Sequence, residues 1–205
     1  MSYVVLLFSL SVHESAHAWT AFRQGDPTAR SLGRISLNPL VHIDPIGTVV
    51  LPLLMIFTGV PLLGWAKPTP VDPRHFRDLR LGQILVSGAG PLSNLLLALL
   101  FTAGLFVAVR VLPAPLQEQP LAQLLSLGIQ LNVLLAIFNL VPLPPLDGSH
   151  VVEWSLPNGM GHRYMAMIAP YGGFILLALV MSGALFTVLS PVLDLVLGFL
   201  YSLVR

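Results

Sequence analysis

Polar and apolar positions fall in long blocks along this chain, not in the short periods of a soluble fold. Five runs contain no Asp, Glu, Lys or Arg: residues 1–13, 45–66, 81–109, 119–146 and 164–193. The last three exceed the ~20 apolar residues that carry a helix across a bilayer core. They predict spanning helices over about residues 83–110, 121–140 and 165–189, with a further helix over 3–22 and a shorter apolar segment over 191–204. The run 45–66 is different, because Pro45, Gly47, Pro52, Gly59, Pro61 and Gly64 interrupt it and disfavour one straight helix. Polar stretches at 23–44 and 67–80 separate the runs, and neither can cross lipid as exposed irregular backbone. Within the first of them, Ile35 and Leu37 alternate with polar neighbours, a short β-like signal. The first run is brief enough to resemble a secretion signal, but it lacks the basic start and small-residue cleavage site of one.

Composition narrows the class. The chain has 205 residues, 55% hydrophobic and 9% charged, against roughly 25% charged in soluble domains. The expectation is an all-α polytopic membrane protein: about five transmembrane helices, a re-entrant segment and a short β-like membrane-associated stretch, forming one embedded domain over 1–205. Its obligatory partner is the lipid bilayer. A net charge of +1 offers no field for nucleic acid, and zero cysteines exclude disulfides and thiolate metal sites. No oligomeric state is implied.

The candidate chemistry lies in the first helix, at His13-Glu14-Ser15-Ala16-His17. Residues four apart share a helical face, so both imidazoles can reach one ion while Glu14 stands beside the water it binds. This is the HExxH zinc pattern. The bland alternative is a hydrogen-bonded His/Glu cluster such as a proton relay. Three ionisable groups in a spanning helix are costly, up to ~3 kcal/mol each, and functional by default. A catalytic zinc needs a third protein ligand and one open position. Asp26, Asp44, Asp72, Asp78, Glu118, Asp147, Glu153 and Asp194 are the carboxylates available. Asp147 is the best placed, because Pro142, Pro144 and Pro145 should unwind the preceding helix near Leu140 and deliver it on extended backbone. His42 and Asp44 form an alternative pair, but Pro39 and Pro45 bracket them and no helical face aims them. Ser15 reads as helix packing, His75, His150 and His162 as surface residues, and Trp19, Trp65 and Trp154 as interface anchors. Two neutral imidazoles and a carboxylate leave zinc positively charged, lowering the pKa of its water to ~7, so Glu14 can take and return the proton in peptide hydrolysis.

A shared metal also constrains topology. His13 and His17 lie late in the first helix and Asp147 follows the helix over 121–140, so an odd number of crossings must separate them. The run 45–66 is therefore expected to dip in and return. Seven of the ten basic residues lie between Arg23 and Arg80, which puts both basic stretches and the metal site toward the cytoplasmic leaflet.

HExxH in a spanning helix followed by NLVPLPPLDG at 139–148 resembles the site-2 protease family of intramembrane zinc metalloproteases. GAGPLSN at 88–94 fits the same family, and LNPLVHIDP at 37–45 and GWAKP at 64–68 resemble a compact prokaryotic subgroup without PDZ or CBS domains. The resemblance implies one Zn2+ per chain held by His13, His17 and Asp147, with Glu14 as catalytic acid/base. It also implies support from Asn94, and from Asn139 near the substrate backbone. The implied location is a prokaryotic inner or plasma membrane, and the implied substrate is a transmembrane segment of another membrane protein. Two other readings use the same residues: a metal or proton-coupled transporter, and an inactive homologue that only binds.

Overall fold

The computed structural model describes residues 2–58, 64–112 and 119–204. Its elements are α1 (Ser2–Gln24), α2 (Thr28–Ser31), α3 (Leu51–Thr58), α4 (Leu79–Val111), α5 (Pro120–Asn139), α6 (Asp147–Ser155), α7 (Met160–Met181) and α8 (Ala184–Ser202). Four of these, α4, α5, α7 and α8, are long and apolar enough to cross a membrane. With 23 residues, α1 spans about 34 Å, although it carries the ionisable groups. The chain is an all-α integral membrane protein.

Helix α4 is the hub, packed against α1, α5 and α6. Its buried face is built largely of small side chains, including Gly90, Asn94, Ala98, Thr102 and Ala108, while Leu92, Leu96, Leu99 and Leu100 point outward. Small residues let helix backbones approach closely where lipid offers no hydrophobic drive for association. Gly128 of α5 shows the tightness, since a Cβ there would lie 2.6 Å from the Phe101 ring of α4. Below this seam Ala98, Leu105, Ile129, Val133 and Leu200 join α4, α5 and α8 in one apolar cluster. A second cluster, Leu146, Leu176, Val180, Leu185 and Leu189, ties α7 and α8 to the segment before α6.

The predicted helix over 165–189 is two helices. It breaks at Ser182-Gly183, where Gly183 adopts φ 73, a left-handed conformation that glycine takes without a Cβ penalty. Pro191, expected to start a segment, lies inside α8 instead. No charge marks the true break, so the charge-free run concealed it. The run 45–66 begins as a six-residue π-helix, Pro45–Val50, and continues as the eight residues of α3. Together they cover about 21 Å at 1.5 Å per residue, short of the ~30 Å core. Its two ends meet: the Trp65 N–H donates to the Gly47 carbonyl at 3.2 Å, and the Thr48 hydroxyl donates to the Trp65 carbonyl at 2.8 Å. The Trp65 ring fills the space where a Gly47 Cβ would sit. The segment thus leaves and returns to one place, the course expected of a re-entrant segment; Gly59 and Pro61 lie outside the described residues, as does Glu118.

No strand occurs among the described residues. The stretch expected to be β-like around Ile35 and Leu37 is irregular because the Ser36 backbone is taken up by side chains. Its N–H donates to Ser15 Oγ at 3.1 Å, and its carbonyl accepts from Ser15 Oγ and lies 2.7 Å from His42 Nε2.

Candidate metal centre

Helix α1 turns its polar residues inward and its large apolar residues outward. Ser9, Ser11, His13, Ser15 and His17 are all buried, whereas Tyr3, Val4, Phe8 and Trp19 are exposed. The 3.6-residue period stacks His13 and His17 on one face, with their Nε2 atoms 3.1 Å apart. Both rings are held from behind. His13 Nδ1 lies 2.6 Å from Asn94 Oδ1, and His17 Nδ1 donates to the Val86 carbonyl at 2.7 Å. Pro91, inside α4, gives no N–H to the Ser87 carbonyl, which loosens that turn beside the carbonyl His17 uses.

The third group arrives as the prolines predicted, with one difference. Helix α5 ends at Asn139, and residues 140–146 form tight turns closed by Leu143 N–H to Val141 O at 2.8 Å and Leu146 N–H to Leu143 O at 2.9 Å. Asp147 then stands on the first turn of α6, not on extended backbone. Gly148 makes the close fold-back possible, since a Cβ there would overlap the Leu140 carbonyl and lie 2.7 Å from that of Val141. Asp147 Oδ2 comes to 3.2 Å from His13 Nε2 and 3.5 Å from His17 Nε2.

These three atoms fit a metal ion by the chemistry of what faces what. With both Nδ1 atoms donating backward, each neutral imidazole presents a bare Nε2 lone pair forward. Asp147 Oδ2 is buried without a hydrogen-bond partner. Three acceptors therefore converge with no donor among them, which is costly unless a cation joins them. A tetrahedral zinc with ~2.1 Å bonds separates its ligand atoms by about 3.4 Å, close to the 3.1–3.5 Å found here. Gly90 leaves room for the group, because a Cβ there would overlap His17 Nε2 and lie 2.5 Å from His13 Nε2. Among the described residues, His13, His17 and Asp147 are the one such convergence of metal-ligating side chains.

Glu14 is held separately, by a loop. Its Oε2 accepts from the Thr69 N–H at 2.9 Å and the Thr69 hydroxyl at 2.8 Å. Two residues earlier, the Lys67 N–H donates to the His42 carbonyl at 2.8 Å, and the Lys67 carbonyl accepts from the buried Arg34 guanidinium. His42 in turn reaches the Ser36 carbonyl, and Ser36 is bonded to Ser15. The two polar stretches thus close a ring of hydrogen bonds around Glu14-Ser15. His42 and Asp44 are part of this scaffold and stand outside the metal-ligating group. Asp44 caps the π-helix, accepting from Ile46 N–H at 3.0 Å and Gly47 N–H at 2.7 Å.

A cavity of about 1060 Å³ opens onto the centre, lined by Glu14, Trp65, Thr69, Asn139, His150 and Leu176 among others. Asn139 borders it while donating to its own helix at Leu135 O, 2.9 Å away. His75, His150 and His162 are surface residues paired with carboxylates: His162 Nδ1 lies 2.9 Å from Glu153 Oε1, and His75 Nδ1 lies 3.5 Å from Asp72 Oδ2. Sequence reasoning missed Thr69, Gly90, the Val86 carbonyl and Asn132, which is fully buried and accepts from Asn94 Nδ2 at 2.8 Å. Only Asn132 carried a usable signal, as a polar side chain inside a charge-free helix.

Comparison with known proteins agrees with this arrangement. A family model described as Peptidase family M50 matches residues 107–183, which include Asp147 but not the HExxH helix. A Bacillus subtilis protein, provisionally named zinc metalloprotease YwhC, is 40% identical over 196 residues, covering 93% of this chain and 84% of its own length. The Rip2 proteins of Mycolicibacterium smegmatis and Mycobacterium tuberculosis, provisionally named zinc metalloproteases, are 34% identical over 179 residues and 36% over 149. The matches cover 66% and 54% of those two proteins. No solved structure matches the chain. A relative aligned along nearly the full chain and a His-His-Asp cluster with a glutamate beside it lead to the same place: the chain belongs to peptidase family M50, the site-2 protease family of zinc metalloproteases.

Proposed function

We propose that the protein is an intramembrane zinc metalloprotease that hydrolyses peptide bonds in or near transmembrane segments of membrane-protein substrates. His13, His17 and Asp147 hold one zinc ion per chain, and Glu14 is the general base and acid. The observation that carries this reading is the convergence of three bare acceptor atoms, 3.1–3.5 Å apart, beside a carboxylate fixed independently by Thr69. When bound, zinc supplies the Lewis acidity that activates water and polarises a peptide carbonyl. Glu14 accepts the water proton and returns it to the leaving amine, with Thr69 holding the carboxylate in place between the two transfers. Asn94 orients His13. Asn139, on the cavity wall, contacts the substrate backbone once a segment has unwound.

The basic residues support an orientation with the centre toward the cytoplasmic leaflet of a prokaryotic inner or plasma membrane. Arg23, Arg30, Arg34, Lys67, Arg74, Arg77 and Arg80 all lie from the last turn of α1 to the first turn of α4, the side on which the re-entrant segment begins and ends. A transporter would need polar groups along a continuous path. Here the metal-ligating side chains gather at one depth.

The test uses protein purified in detergent: zinc stoichiometry, and cleavage of a helical membrane substrate by wild type and Glu14→Gln. One zinc per chain in both proteins, with cleavage lost in the variant, is expected. Undiminished cleavage by Glu14→Gln would overturn the assignment of the base.

A further inference from the structure

The two imidazoles of the centre are held in different ways. His17 Nδ1 faces the Val86 carbonyl, which can only accept, so the proton sits on Nδ1 and Nε2 is bare. His13 Nδ1 faces a side-chain amide, Asn94. An amide presents either its oxygen or its NH2, and the two orientations have nearly the same shape. With the oxygen forward, His13 carries its proton on Nδ1 and Nε2 can bind metal. With the NH2 forward, Nδ1 must accept, the proton moves to Nε2, and the ring is lost as a ligand.

We infer that Asn132 is a positioning residue that sets the tautomer of His13 by fixing which way Asn94 faces. The polarity originates in backbone. Asn132 Nδ2 donates to the Gly128 carbonyl at 2.8 Å, an atom that can only accept, and to Ser9 Oγ at 2.9 Å. That turns Asn132 Oδ1 toward Asn94, whose Nδ2 donates to it at 2.8 Å and lies 3.4 Å from the Ser9 carbonyl. Asn94 Oδ1 is left to meet His13 Nδ1 at 2.6 Å. Ser9, Asn94 and Asn132 come from α1, α4 and α5, and all three have zero exposure, so water cannot substitute for any link. Reversing either amide would set donor against donor at one junction and orphan a carbonyl at the next. The two asparagines thus carry a direction from the Gly128 carbonyl to the metal-facing nitrogen of His13.

The inference rests on the proposed zinc reading, and its test separates the two. The full chain, labelled with 15N-histidine, is purified in detergent and stripped of zinc, and the His13 signals are assigned by substituting His13. Zinc affinity is measured by competition with a chelator. Wild type is expected to keep a proton on His13 Nδ1, facing the Asn94 oxygen. Asn132→Leu should introduce a form with Nδ1 unprotonated and weaken zinc by about 10-fold or more, the usual effect of losing a group that orients a ligand. In an Asn94→Asp background both oxygens accept, so orientation no longer matters. Adding Asn132→Leu there should change zinc affinity by less than about 2-fold. A His13 whose Nδ1 carries no proton in wild type overturns the inference. So does an Asn132→Leu that leaves tautomer and affinity unchanged, or one whose effect is as large with Asn94→Asp as without it. If Asn132→Leu does not fold, Asn132→Asp, which keeps an acceptor facing Asn94, must retain the Nδ1 proton; its loss would refute the relay. A wild type that binds no zinc refutes the metal reading instead, and the spectrum of zinc-free protein still judges the relay.

Discussion

Replacing Gly90 with alanine should remove metal binding while leaving the fold nearly as stable as before. The added Cβ would overlap His17 Nε2 and lie 2.5 Å from His13 Nε2 and Cε1. Ordinary contact between carbon and such atoms is about 3.5 Å, so the rings must retreat by about 1 Å. Metal sites tolerate errors of about 0.2 Å in ligand distance, and a five-fold larger displacement should lower zinc affinity at least ~100-fold. The effect on stability is the balance of two terms. Overpacking costs about 1–3 kcal/mol, and exchanging glycine for alanine within a helix returns roughly 1 kcal/mol. The net is a destabilisation of about 0–2 kcal/mol, small against the loss of metal. Gly88→Ala is the control, because nothing lies within 4 Å of a Cβ there; it should bind zinc normally and be no less stable. The assays are zinc per chain after purification in metal-containing buffer and thermal unfolding of the zinc-free proteins. A Gly90→Ala protein holding one zinc with wild-type affinity would refute the placement of the centre against α4.

Further outcomes follow from the loops. Thr69→Val removes the hydroxyl on Glu14 but keeps the backbone N–H, so cleavage should fall by about 10-fold, a part of the ~10²–10⁴-fold that a positioned acid/base supplies, while zinc stoichiometry stays at one. Asp44→Ala deletes the cap on Ile46 and Gly47 and should destabilise the protein by about 1 kcal/mol, read by chemical unfolding. Gly64→Cys, in a chain with no native cysteine, should react with an impermeant thiol reagent from the same membrane face as Arg80→Cys; reaction from the opposite face would refute a re-entrant segment. The hydrogen bond from Arg74 beside Asp72 holds that carboxyl at about 2, below the usual range. Its contribution to folding is therefore complete above the unfolded value near 4 and lost as pH falls through 2. In an NMR titration, Arg74→Ala should return the Asp72 midpoint toward the ordinary value.

What could be read from sequence was whatever lipid enforces locally. Charge-free runs located α4 and α5 to within a few residues of Leu79–Val111 and Pro120–Asn139, because one misplaced charge in hydrocarbon is costly enough to print itself on composition. Helical periodicity put His13 and His17 on one face, and three prolines marked where the chain turns toward Asp147. The break at Gly183 escaped because both helices flanking it are equally apolar, and in a membrane a helix end need not be polar. Thr69 and Glu14 are 55 positions apart, and Asn94 and His13 are 81 apart. Such partnerships depend on how helices and loops settle against one another, and no local period records them. The role of Asp44 had a local signature, an aspartate just before a proline-initiated helix, but the sequence was read only for Asp44 as an alternative ligand beside His42.

The ring that secures Glu14-Ser15 has a consequence for how the enzyme could be switched. The proposed ligands are fixed by α1, α4 and α6, deep in a helical bundle, whereas Glu14 is secured by the N–H and hydroxyl of one loop residue, Thr69. Loops of this kind open locally at far lower free energy than packed helices do. Brief separation of residues 67–69 from α1 would therefore yield a molecule that keeps its metal but has lost control of its proton carrier. Hydrogen exchange at the Thr69 amide would report that idle state directly.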